Sequence, residues 1–137
     1  MDALRPRPAT DDHDTGPFFD SLRRRELTVC RCAACSEIIH PPRGVCAVCR
    51  SAATTMEPVS GDATIYSWTV VEHQVHPAFD VPYTVVVVDL DDHPGVRFVG
   101  RLEGKPDLAA GLPMRVAFTE LGDGVFRPDW QLVAGTH

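Results

Sequence analysis

Cys32-Ala33-Ala34-Cys35 and, ten residues further on, Cys46-Ala47-Val48-Cys49 decide how this chain is read. Each C-x-x-C pair can bring two thiolates to about 2.3 Å from one metal, and two such pairs complete a tetrahedral shell around Zn²⁺. A shell of four thiolates has no open position, so the site it predicts is structural rather than catalytic. Two other readings stand beside it: reduced thiols around a site that has lost its metal, and a disulfide framework. The second is weaker, because nothing marks the chain as secreted. Residues 27–58, which carry the four cysteines, have too little apolar surface to fold alone, so metal binding has to supply much of their stability. Between the pairs, Pro41-Pro42 enforces an extended path and biases His40 away from helical angles. His40 as a ligand is redundant once four thiolates are in place. Cys30, two residues before the first ligand, reads as a semi-buried bystander more readily than as a reactive thiol.

On the N-terminal side, residues 1–14 are rich in Pro, Asp and Arg and hold little to bury, which predicts a disordered tail. A short helix over residues 15–26 follows, with Thr15 or Gly16 as its cap and Pro17 at its first position. Phe18 and Leu22 share one face of it, and Arg23, Arg24 and Arg25 fall in its last turn, where the helix dipole favours cations.

On the C-terminal side, residues 59–134 change to strands. Ala63–His73, Tyr83–Leu90, Val96–Leu102 and Met114–Leu121 are β-branched and aromatic runs bounded by turn signals. A fifth strand lies around Val125–Phe126 or Gln131–Val133. The segment from Gly104 to Gly111 is long enough for one or two helical turns. Five strands with a helical connection between the third and fourth is the pattern of an OB-fold barrel. The predicted class is therefore mainly β: a short helix, a rubredoxin-like zinc ribbon and a five-stranded barrel. Val85-Val86-Val87-Val88 does not alternate with polar residues as a strand with one solvated face would. Something is expected to cover the outside of the barrel there: the helix, the ribbon or another protein.

The chain has 137 residues, a formal net charge of −6 and 44% apolar residues, enough for one ordinary domain with a small appendage. An acidic balance argues against nucleic acid, which is held mainly by Lys and Arg on phosphates. No stretch approaches the roughly 20 apolar residues of a membrane span. Residues 1–14 lack the apolar centre of a signal peptide, so a cytoplasmic location is expected.

A catalytic constellation is hard to find. There is no G-x-S-x-G elbow and no glycine-rich phosphate loop. His73 or His76 could pair with Asp80, and Asp89, Asp91 and Asp92 could recruit a divalent cation. Chance proximity and a solvated turn are the commoner explanations.

Several further motifs are similar to those of the zinc-ribbon/OB-fold proteins known as the domain-of-unknown-function-35 family. They are Phe18-Phe19-Asp20-Ser21-Leu22-Arg23, the two cysteine pairs flanking His40-Pro41-Pro42-Arg43, then Tyr66-Ser67-Trp68-Thr69, Pro82-Tyr83, the valine run ending in Asp89-Leu90, Gly111-Leu112-Pro113-Met114 and Phe126-Arg127-Pro128. The likeness covers roughly residues 17 to 133. Ser36 and Arg50 depart from it, standing where the family usually has a glycine after the second cysteine of each pair. The resemblance implies an accessory role in acyl-CoA metabolism. Family members accompany thiolase-fold enzymes, namely thiolases, acyltransferases of polyketide-type pathways and aldolases that shorten steroid side chains. The partner supplies the catalytic residues.

The expectation is a subunit with no turnover of its own, structural Zn²⁺ on Cys32, Cys35, Cys46 and Cys49, and CoA or acyl-CoA shared with the partner. Arg43 and Arg127 are the candidates for the CoA phosphates and Tyr83 for lining the pantetheine passage, with ribbon–barrel packing or partner binding the alternative role for each. The partner interface is expected in the obligate size class, above about 2,000 Å², in a two-plus-two assembly. Competing readings are a single-stranded nucleic-acid module, which needs a basic groove with stacking aromatics, and a free-standing enzyme using Cys30 or the His73–Asp80 region.

Overall fold

The computed structural model describes residues 6–133. A helix, α1 (Gly16–Arg23), leads into a three-stranded antiparallel sheet of β1 (Thr28–Cys32), β2 (Ile38–Ile39) and β3 (Thr54–Pro58), in the order β2-β1-β3. The second sheet contains β4 (Asp62–Val71), β5 (Tyr83–Leu90), β6 (Arg97–Glu103), β7 (Pro113–Gly122) and β8 (Val125–Leu132), in the order β6-β5-β4-β7-β8. The two ends of this sheet meet through side chains. The Arg101 N–H donates to the Asp129 carboxylate at 2.9 Å, and the Trp130 indole lies over Gly100, where any Cβ would collide with it. That contact closes the five strands into the barrel that the sequence predicts.

One apolar core runs through all three parts. Leu22, Val29, Val86 and Val88 are fully buried, and Trp130 and Met114 nearly so. Phe18 stacks on Phe98 with ring centroids 6.0 Å apart, so α1 contributes to the inside of the barrel. Two polar contacts fix the ribbon to the barrel: His40 Nε2 to the Arg97 carbonyl at 2.7 Å, and His93 Nε2 to Glu57 at 2.8 Å.

β5 shows how the valine run is used. Thr84, Val86, Val88 and Leu90 point inward and are buried, while Tyr83, Val85, Val87 and Asp89 on the other face are half-buried. Helix α1 makes its contacts with β8 and β1 instead of this outer face. Val99, the β6 neighbour of Val87, is 59% exposed.

Three expectations change. Helix α1 ends at Arg23, so Arg24 is its C-cap and Arg25, at φ 57°, lies beyond the last turn. The connection between β6 and β7 contains no helix. Pro106 pushes Lys105 toward extended angles, and the end of the segment bonds to β4 instead, Gly111 N–H to the Ile65 carbonyl and Ile65 N–H to the Leu112 carbonyl. The last strand is continuous across both alternatives, Val125 to Leu132, with Pro128 in its middle. β8 ends the sheet order, so the missing proline N–H breaks no ladder on its free side.

The predicted tail is only partly within the described residues, since 1–5 lie outside them. Within 6–14, Arg7 pairs with Asp123 at 2.9 Å and the Asp14 carboxylate accepts the Gly44 N–H at 2.9 Å.

Candidate functional site

The four cysteines meet at one end of the ribbon. Cys32 closes β1, Cys35 lies in the turn after it, and Cys46 and Cys49 occupy the second turn. All four Sγ atoms lie within 4.8 Å of one another, with Cys32–Cys49 at 3.5 Å and Cys35–Cys46 at 3.7 Å. A tetrahedron with bonds of about 2.3 Å has edges of about 3.8 Å, so the sulfurs stand where a Zn²⁺ shell requires them. The Cys35 N–H points at Cys32 Sγ and the Val48 N–H at Cys46 Sγ. Glycine's usual place in each turn is taken by Ser36 (φ 68°) and Arg50 (φ 65°), which adopt the left-handed conformation nonetheless. The knuckles therefore form without glycine, at a conformational cost of about 1 kcal/mol or more per position.

The sulfurs do not titrate alike. Cys32 is drawn down to about 6, chiefly by the Cys35 amide, and Cys46 is lowered chiefly by the Cys49 amide. Cys35 is pushed up to about 12: the Glu37 amide lowers it, but desolvation and the three neighbouring sulfurs outweigh that. Four thiolates this close repel one another, and a dication is the partner that offsets the repulsion.

A second feature lies on the outside of the barrel. Phe79, Tyr83, Val85, Val99, Arg101 and Arg127 line a groove of about 310 Å³ where β6 meets β8. Asp129, 7% exposed, is its anchor. Besides the Arg101 amide, its carboxylate accepts the Thr119 hydroxyl at 2.7 Å and Arg127 Nε–H at 2.9 Å. Arg127 is thus held by Nε, which leaves both Nη groups without a hydrogen-bond partner among the described residues. The Arg101 guanidinium lies 4.6 Å from the centre of the Tyr83 ring. Tyr83 and Arg127, predicted separately, come together here. Arg43 does not join them: it lines a different hollow with His13, Asp14 and Arg50 beside the second knuckle. From sequence, Arg101 stands with Arg97, Lys105, Arg115 and Arg127 as a cation that could touch a phosphorylated ligand, without being singled out beside Tyr83 and Arg127. The signal was available, because Arg101 stands opposite Val85 on the uncovered face.

Residues 19–55 match the family model described as ChsH2, rubredoxin-like zinc ribbon domain, and residues 56–119 match ChsH2, C-terminal OB-fold domain. This chain belongs to the ChsH2 zinc-ribbon/OB-fold family. It is 39% identical over 132 residues to a Thermomonospora curvata protein named "Probable enoyl-CoA hydratase alpha subunit", covering 92% of this chain and 40% of that one. It is 33% identical over 132 residues to the 3-oxo-4,17-pregnadiene-20-carboxyl-CoA hydratase alpha subunit of Mycobacterium tuberculosis, covering 93% of this chain and 39% of that one. The chain thus spans about two fifths of the length of both curated relatives. Among solved structures, it resembles a chain of the Ltp2-ChsH2(DUF35) aldolase with a TM-score of 0.82 and 31% identity, covering 92% of this chain and 98% of that one. A DUF35 family protein of unknown function from Sulfolobus solfataricus shares the fold, with a TM-score of 0.57 and 15% identity over 85% of this chain and 84% of that one.

The other residues considered from sequence are placed as follows in this ChsH2-family chain. His40 packs on Phe98, with ring centroids 4.5 Å apart, and serves the ribbon–barrel joint rather than the sulfurs. Cys30 is buried with its Sγ 3.9 Å from the Arg43 carbonyl. His76 Nδ1 accepts the Ala78 N–H, and no described His–carboxylate pair forms with Asp80. Asp89 pairs with Arg97, while Asp92 accepts the Ser60 N–H and hydroxyl, so the aspartates of that turn are engaged separately. Arg97 pairs with Asp89, Arg101 with the exposed Glu103, Arg115 with Asp62 and Arg127, through Nε, with Asp129. No helix among the described residues is long and apolar enough to cross a membrane.

Proposed function

We propose that this chain is a non-catalytic subunit that docks on a thiolase-fold enzyme acting on acyl-CoA, with one structural Zn²⁺ held by Cys32, Cys35, Cys46 and Cys49. The observation that carries the reading is the outer barrel face. Val85 and Val87 are half-buried there, Val99 is 59% exposed, and neither α1 nor the ribbon lies over them. Apolar sheet surface that the described residues leave open marks an interaction site. The 31%-identical chain in a structure described as an Ltp2-ChsH2(DUF35) aldolase supports a partner enzyme.

The groove gives that docking surface a chemical function. Its apolar walls suit a pantetheine arm, and the free Nη groups of Arg127, with Arg101 beside them, suit phosphate oxygens. Arg43, on the second knuckle, would serve the same ligand only from another side of the interface. The zinc contributes a four-point cross-link that keeps the ribbon folded against the barrel. A two-plus-two complex follows if the partner is itself a dimer.

Co-expression with thiolase-fold enzymes of the same genome, and with Ltp2, tests the reading by size-exclusion chromatography and an acyl-CoA cleavage or condensation assay. A stable complex that turns over, with neither function in this chain alone, is expected. Arg127→Ala, Arg101→Ala and, if it shares the ligand, Arg43→Ala raise KM for acyl-CoA. A monodisperse monomer that ignores all of these enzymes, or turnover by this chain alone, contradicts the reading. Unchanged kinetics in an intact complex remove those arginines from the site.

A further inference from the structure

β4 is paired on both sides for only part of its length. β7 meets it at Asp62, Ala63 and Thr64, and the Gly111–Leu112 segment takes the N–H and C=O of Ile65. From Ser67 to Val71 it pairs with β5 alone. Main-chain groups alternate between the two sides of an antiparallel strand. Ile65 points away from β5, and the bulge at Tyr66 resets the count. The N–H and C=O groups of Trp68 and Val70 therefore point out of the sheet, toward no described residue.

The side chains there are exposed as well. Tyr66, Ser67, Trp68, Thr69 and Val70 form five consecutive exposed residues in a strand, with Tyr66 at 52%, Trp68 at 39% and Val70 at 37%. Proteins blunt such edges with Lys, Pro or a cover. Tyr66-Ser67-Trp68-Thr69-Val70-Val71 contains no charge and no proline. It is an uncharged β-forming segment left open, the kind that pairs with another strand.

We infer that this edge is a strand-addition site, at which an extended, uncharged segment of the partner enzyme pairs with Trp68 and Val70 and continues the β6-β5-β4 sheet. The occupant is a partner and not a second copy on grounds of area. Pairing of Ser67–Val71 with itself falls well short of the roughly 1,000 Å² that a stable interface buries. A partner seated on the outer face reaches the edge directly, because Ser67, Thr69 and Val71 stand beside Val87, Val85 and Tyr83 on that same face. The inference rests on the docking reading above and adds the main-chain contact through which docking is fixed.

Amide hydrogen exchange on the wild-type chain, free and in the complex, tests it together with two variants. The Trp68 and Val70 amides exchange freely alone and slow at least about tenfold in the complex. Val70→Pro removes a donor that bonds nothing among the described residues and weakens the complex about tenfold, while Val70→Ala keeps the donor and binds within about threefold of wild type. A complex in which these amides stay unprotected overturns the inference and leaves the docking reading standing. Failure of every thiolase-fold enzyme to bind overturns both. Protection of the same amides by raising this chain's own concentration overturns the choice of occupant. The exchange measurement decides the matter even if Val70→Pro fails to fold.

Discussion

Asp129→Ala should be the most costly single change on the barrel outside its apolar core. The carboxylate is 7% exposed and accepts three hydrogen bonds, from the Arg101 amide, the Thr119 hydroxyl and Arg127 Nε. Bonds to a charged group are worth about 1.5–3 kcal/mol each, and the orphaned donors keep their desolvation cost. Arg127 is 27% exposed and recovers water on one side, so it does not lose its full share. A net loss of about 3–5 kcal/mol follows, in the range for removing one partner of a buried charge pair. An unfolding entropy near 2.1 cal/mol/K per residue gives about 0.3 kcal/mol/K for this chain, so Tm falls by about 10–17 °C. Asp129→Asn separates two roles. Its carbonyl can still accept the Arg101 amide, but its NH₂ opposes Arg127 Nε–H, so Arg127 is released while the β6–β8 seam survives. Calorimetry on both variants, with KM for acyl-CoA in the complex, checks this. A Tm drop below about 3 °C for Asp129→Ala would refute the claim that this carboxylate closes the barrel.

Elemental analysis should find one zinc per chain, and Cys46→Ser should lose it and melt the ribbon while the barrel strands keep their amide protection; zinc retained at stoichiometry by Cys46→Ser contradicts the ligand assignment. Ser36→Gly and Arg50→Gly should each raise stability by about 1 kcal/mol in zinc-loaded protein, because glycine takes the left-handed angle without strain; a loss in denaturant midpoint counts against that account. The pKa of His40 is lowered, first by burial, against the opposing pull of the Arg97 carbonyl. A depressed histidine contributes stability that is present above its ordinary value near 6.5 and is lost as pH falls below it toward the folded value. His40→Asn should therefore flatten the stability difference between pH 7.5 and 5.5, and an unchanged slope in chemical denaturation would rule His40 out as its source. Glu57 is held below the usual carboxylate range by Arg31 first and His93 second, so its contribution is present above its ordinary value of 4.5 and lost below it; Glu57→Gln should remove that acid-side loss.

The cysteine spacing determined the four-sulfur cluster by itself, because two residues between sulfurs leave little choice but a knuckle. The strand pattern likewise determined the barrel, since β-branched runs separated by glycine and proline turns carry their conformation locally. The valine run raised the expectation of a covered outer face, and Tyr83 and Arg127, each beside a proline, stood out locally and come to line one groove. Other features depended on contacts distant in sequence. The Lys105–Leu112 connection is non-helical because it bonds to Ile65, some forty residues earlier. Pro128 is tolerated only because β8 ends the sheet order. Arg101 and Arg127 share a groove because Asp129 binds the β6 backbone and the Arg127 side chain at once. Arg43 falls elsewhere because the ribbon turns it to another side of the molecule. Local propensity and ligand spacing act within a few residues and are written along the chain. Which strand meets which, and so which arginines converge and which edge stays open, depends on the closure of the barrel, and only the tertiary structure decides that.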